Sequence, residues 1–192
     1  MAELVPRTSW RSLLAAGLPG WRMAGEGGFR QIQDGVIESH GGPGLLWFAA
    51  EPFEDIVLRA VWRIARPEDN SGIFLRCPAL DEGYQGAIDR GYEVQIDDRA
   101  YDPERQVFGS ALHRTGAIYR LAPAPHLLSR PPGQWNEFEI VARGPVISVH
   151  LNGEPASHLA HAGGRQSKGY IALQAHHQGS AVQFRSVEIA VL

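Results

Sequence analysis

In the segment GYEVQID, Glu93, Gln95 and Asp97 alternate with Tyr92, Val94 and Ile96. Successive side chains of an extended strand point to opposite faces, so the three polar groups share one side. Two more segments repeat the pattern. In NSGIFLR, Arg76 has the parity of Asn70, Gly72 and Phe74, and in YIALQAHH, Gln174 and His176 lie opposite Ile171 and Leu173. If the three strands share a sheet, a carboxylate, amides, a guanidinium and an imidazole converge on one face. Such donors and acceptors suit a polyhydroxylated ligand, because they pair with vicinal hydroxyls. Tyr92, Tyr119 and Trp135 could offer apolar platforms to a sugar ring. The plain alternative is a half-exposed strand with a solvated polar face.

Other constellations are missing. The chain has no HExxH, no phosphate-cradling glycine loop with its lysine, and no G-x-S-x-G. His158 and His161 bracket two residues of a predicted turn, where a structural or solvated role outweighs metal ligation. Adjacent His176 and His177 cannot share a strand face. Cys77, beside Pro78 at a strand end, reads as a packed small residue, and one cysteine allows no internal disulfide.

The elements that must position these groups read as strands. Period-two alternation recurs in DIVLRAVWRI, GAIYRL, WNEFEIVAR, ISVHL and AVQFRSVEIAVL, while helical periodicity is almost absent. Asp34-Gly35 and Asn152-Gly153 predict two-residue hairpin turns. Alternation breaks at Arg185 and Ser186, and a β-bulge there would restore one buried face. One helical turn or two is expected around Trp10 to Ala16, capped by Thr8 or Ser9. The connections 78–90, 99–115 and 122–134 are long enough to be lids or binding loops, and the first two are expected to wall the site.

The composition agrees. The 192 residues suit one domain over 1–192, and 22 Gly with 13 Pro disfavour long helices. A net charge of −3 gives no footprint for nucleic acid. No run reaches a membrane span, and the N-terminus does not read as a secretory signal. The expected location is cytoplasmic as written, or outside if a leader was removed. The expected partner is a small carbohydrate, with neither nucleic acid nor membrane; oligomeric state is unread.

The motifs NSGIFLR, GYEVQIDD, QWNEFEI and GYIALQAHH, in that order after PGWRM, FRQIQDGVI and GLLWF, resemble the 3-keto-disaccharide hydrolase family, from about Leu18 to Ala190. The resemblance implies an all-β, concanavalin-A-like jelly-roll sandwich of two antiparallel sheets. It also implies cleavage of glycosides oxidised to a ketone at C3. Matching polar positions are Asn70, Arg76, Glu93, Gln95, Asp97, Trp135, Asn136, Gln174 and His176. Ala175 stands where members usually carry an acidic residue, and LQAHHQG is one residue longer. No cofactor follows with certainty; a divalent metal ion seen in relatives is possible.

A C3 ketone acidifies the C2 proton, so the C1–O bond can break by elimination. The expected base is His176 or Glu93, the enolate stabiliser Arg76 or a bound cation, and the acid Glu93 or Asp97. An ordinary two-carboxylate glycosidase is less suited. Glu93 and Asp97, four apart on a strand, lie roughly 13 Å apart against the roughly 5–9 Å required. The rival expectation is a non-catalytic carbohydrate-binding module on the same sandwich.

Overall fold

The computed structural model describes residues 10–33, 35–161 and 164–192. Its strands are β1 (Arg11–Ser12), β2 (Trp21–Gly25), β3 (Gly28–Gln33), β4 (Val36–His40), β5 (Gly44–Phe48), β6 (Ile56–Ile64) and β7 (Asn70–Cys77). A short helix, α1 (Gln85–Arg90), precedes β8 (Tyr92–Asp97). There follow β9 (Asn136–Arg143), β10 (Val146–Leu151), β11 (Glu154–Leu159), β12 (Tyr170–Ala175) and β13 (Val182–Val191). Two antiparallel sheets result. One runs β11-β10-β9-β6-β13-β4-β3 with β1 beside β13; the other runs β2-β5-β12-β7-β8.

Alternation decides what lies between the sheets. Leu58, Ala60, Trp62 and Ile64 of β6 face inward, against Ile73 and Leu75 of β7, Val94 and Ile96 of β8, and Ile171 and Leu173 of β12. All are buried, each strand hiding one face as period two requires. The bulge in β13 falls where expected: pairing with β6 slips between Phe184 and Ser186. Phe184 and Val187 therefore both reach the core.

Asn152-Gly153 forms the β10–β11 turn, with both residues at positive φ (55° and 88°), as a type I′ turn needs. Gln33 pairs with Val36 across the other expected turn; Asp34 lies outside the described residues. The helix expected around Trp10 is not formed. Arg11 and Ser12 instead pair with Ile189 and Glu188 as an edge strand, so a partner strand overrides weak local propensity. Its expected caps, Thr8 and Ser9, lie outside the described residues. Connection 78–90 holds α1, whose Ala87 joins Leu45, Trp47, Phe74 and Ala172 in a second apolar cluster on the outer face of the five-stranded sheet. Half of that face is thus apolar and covered. The other half is polar.

Candidate functional site

The polar half is a grid fixed by strand register. Phe74 lies opposite Glu93, Gly72 opposite Gln95, and Asn70 opposite Asp97. On the other flank Ala172 pairs with Phe74, which sets Gln174 beside Gly72 and His176 beyond it toward Asn70. Gly72 is the centre of this grid, and having no side chain it leaves a depression. A Cβ built there would overlap the Glu93 carboxyl group, so Glu93 leans in over the glycine. Glycine inside a strand often marks such a close approach.

Three amides ring this depression. Asn70 Oδ1, Gln95 Oε1 and Gln174 Oε1 are buried and without a hydrogen-bond partner among the described residues. Unpaired buried acceptors of this kind cost about 1–3 kcal/mol each, so three together point to an occupant that brings donors. Turning an amide end for end would leave a nitrogen to satisfy instead.

The Glu93 carboxyl group makes no hydrogen bond or ion pair among the described residues, and burial alone raises its pKa to about 8. It is therefore mostly protonated at pH 7. Tyr119 lies beside it, its backbone N–H donating to the Glu93 carbonyl at 2.8 Å. Burial, and then the carboxylates of Glu93, Asp102 and Asp97, raise the Tyr119 pKa, so the phenol keeps its proton. The Tyr119 ring meets the buried His113 edge-on at 4.9 Å. His113 Nδ1 is 2.8 Å from Ser110 Oγ, and nothing in the sequence singled it out.

His176 occupies the opposite corner, with its Nδ1 2.9 Å from that of His177. Partial burial and then the neighbouring imidazole lower its pKa to about 4. His176 is exposed at the surface, and the lowered pKa keeps its ring neutral at pH 7. Glu93 and His176 line neighbouring hollows rather than one pocket. The first, about 280 Å³, is walled by Phe74, Ile88, Tyr119, Arg120 and Arg165. The second, about 310 Å³, is walled by Asn70, Asp97, Arg99, Tyr101, Phe108 and both histidines. Arg120 and Arg165 are site cations that the alternation argument missed, because both come from loops.

Several expected residues lie elsewhere or are already engaged. Arg76 does not join the grid. One extra residue in β7, opposite the step from Tyr170 to Ala172, makes a bulge, and Arg76 sits there at φ 53°. Parity flips, and its guanidinium turns away to the carbonyls of Glu54 (3.1 Å) and Gly144 (2.8 Å) and to Asp55 (3.4 Å). It cross-links the sheets at one end. The Asp97 carboxylate accepts backbone N–H bonds from Arg99, Ala100 and Tyr101, which occupy both oxygens. Burial raises its pKa against those bonds, and unlike the Glu93 carboxyl it is already held by the backbone of the following loop.

Trp135 lies on the outer face of the other sheet, with the Arg63 and Arg185 guanidiniums 4.4 and 4.6 Å from its ring centre. Asn136 is buried; its Oδ1 accepts from Arg130 N–H and Asn152 Nδ2 and ties the loop before β9 to the β10–β11 turn. Tyr92 is a core residue. Cys77 is buried beneath α1, and burial pushes its thiol pKa up, which suits an inert thiol.

The residues do not form a closed cage for a divalent cation. Among the described residues no three His, Cys, Asp or Glu side chains cluster in metal-binding geometry. Of the carboxylates that line the hollow with the histidine pair, Asp97 is engaged with the backbone and Glu68 lies 3.9 Å from Arg66, while position 175 is alanine.

The family described as a 3-keto-α-glucoside-1,2-lyase-like domain matches residues 9–190. The chain belongs to this family. None of the curated proteins matches it. Among solved structures, a Parabacteroides distasonis protein provisionally named a glycosyl hydrolase is 22% identical, with 95% of this chain and 99% of that one covered at a TM-score of 0.76. A Bacillus subtilis protein of unknown function with a galectin-like fold covers 94% of each chain at 14% identity and a TM-score of 0.67. The carbohydrate-binding module CBM66 of B. subtilis is 13% identical and covers 89% of this chain and 95% of its own, at 0.60. At these identities the likeness shows the fold: a lectin-like sandwich.

Proposed function

We propose that this lyase-like family member cleaves 3-keto-glycosides by elimination across C1 and C2. The observation that carries the reading is the Glu93 carboxyl group, protonated near neutral pH and leaning into a depression ringed by three unpaired amides. A solvated structural face has no use for such a group. A glycone over Gly72 would donate its hydroxyls to Gln95 and Gln174, the two amides that flank the glycine. By strand geometry, Glu93 and His176 are about 16 Å apart at the backbone, a gap that two extended side chains and one pyranose ring would span.

The pKa directions favour one division of roles. Neutral His176 takes the C2 proton, and the electron pair moves into the C2–C3 enolate, whose oxygen receives an N–H from a Gln95 or Gln174 amide. Re-formation of the C3 carbonyl then makes the C1–C2 double bond and expels the C1 oxygen, which takes its proton from Glu93. Water adds to C1 of the enone and a proton returns to C2, completing net hydrolysis. The aglycone leaves on the Glu93 side, toward Tyr119, Arg120 and Arg165.

A binding module is the second reading, favoured by the name of the CBM66 neighbour. The two separate in one assay: a 3-keto-glucoside and its unoxidised parent, each incubated with the protein with and without chelator. Release of aglycone from the ketone alone supports the lyase. Binding of both glycosides with turnover of neither supports the module.

A further inference from the structure

The hollow beyond His176 carries more apolar surface than a single sugar ring over Gly72 would use. Tyr101 is 40% exposed and Phe108 58% exposed, with ring centres 5.0 Å apart. Arg99 lies 4.3 Å from the Phe108 ring centre. These rings are held in place. Asp97 gathers the N–H groups of Arg99, Ala100 and Tyr101. Asp102 and Val107 bond reciprocally at 2.8 and 3.3 Å, and Gly109 and Ser110 donate back to Arg99 and Ala100. The unpaired Asn70 Oδ1 lies on the wall facing this loop.

From this we infer that the cleft between the loop carrying Tyr101 and Phe108 and the His176-His177 turn is a subsite for a second pyranose ring. The inference rests on the reading of the depression over Gly72 as the seat of the reacting sugar. The cleft continues the groove on the side away from Glu93, so the second ring belongs to the non-reducing side of the glycone, and the substrate is an oligosaccharide rather than a simple monoglycoside. The apolar face of a pyranose packs on an aromatic ring, while its hydroxyls supply the donor that Asn70 lacks. A purely aromatic group would fill the cleft and leave that acceptor unpaired.

The test is calorimetric binding of unoxidised ligands, so it needs no turnover: methyl glucoside and its two-ring α-1,4 and β-1,4 homologues, on the wild type, Phe108→Ala and Tyr101→Ala. Both side chains are exposed, and circular dichroism checks that the variants fold. One of the two-ring ligands should bind roughly tenfold tighter than the one-ring ligand, and Phe108→Ala should erase that advantage. Equal affinities, an advantage that survives both substitutions, or no measurable binding would each overturn the inference. Two-ring binding without cleavage of any 3-keto-glycoside would sink the lyase reading and leave the subsite standing.

Discussion

Gly72→Ala separates the site from the scaffold more cleanly than any change to a charged residue. Gly72 is an interior residue of β7 without a positive φ, so alanine suits its backbone and should raise stability by up to about 1 kcal/mol through the unfolded chain. The new methyl group, however, falls on the Glu93 carboxyl group, with Cγ and Cδ of that residue both 2.8 Å away. Glu93 has a flexible side chain and can swing aside, so the strain is small while the displacement exceeds an ångström. Misplacing a group by about that much costs roughly a hundredfold in rate, and losing a general acid altogether roughly a hundredfold to ten-thousandfold. The expected result is therefore a melting temperature unchanged or slightly raised, with kcat on a 3-keto-glucoside down at least a hundredfold. Thermal denaturation and steady-state kinetics on the same preparation give both numbers. Full activity would show that the position of Glu93 over Gly72 does not matter, and the assignment of the acid would fall with it.

The rate should also report the Glu93 proton directly: kcat/KM should fall about tenfold per pH unit above about 8, where the acid ionises, and a rate that instead climbs through pH 8 would make Glu93 the base. Burial raises this carboxyl above its unfolded value, so its contribution to stability is whole below about pH 4.5 and is lost as pH rises to about 8. Glu93→Gln should thus melt higher than the wild type at pH 9 relative to pH 5, and a pH-independent difference would contradict that. Arg76→Met should lower stability by about 3 kcal/mol by stripping the carbonyls of Glu54 and Gly144 of their donor, with kcat unchanged; a large kcat loss would restore the guanidinium to the chemistry. Trp135→Leu should leave sugar affinity unchanged in a titration, since its ring lies between two arginines on the far sheet.

Alternation alone was enough to assign the faces of β8 and β12, and so to bring Glu93, Gln95 and Gln174 to one side with Val94, Ile96, Ile171 and Leu173 on the other. It failed at Arg76 because one inserted residue in β7 flips parity, and no turn residue advertises a bulge whose left-handed position is filled by arginine. The β13 bulge was legible because the apolar pattern itself breaks there. Trp135 and Asn136 were out of reach for another reason: they begin a strand of the other sheet, and a residue's parity does not say which sheet its strand joins. Asp97 was placed on the correct face, but its capture by three backbone N–H groups depends on how the following loop closes. Gly72 was the missed signal. A glycine inside an otherwise regular strand could have marked where another group comes close.

The central claim is that cleavage proceeds through loss of the C2 proton, and the isotope at C2 tests it most directly. A 3-keto-glucoside is incubated in deuterium oxide with the protein, and the released 3-keto-glucose is examined by NMR against an enzyme-free control for spontaneous exchange. Elimination followed by hydration predicts one deuterium at C2 in the product of every turnover. Product released at the same rate with its original C2 proton would mean that the bond broke by direct displacement at C1, and the elimination account would be wrong.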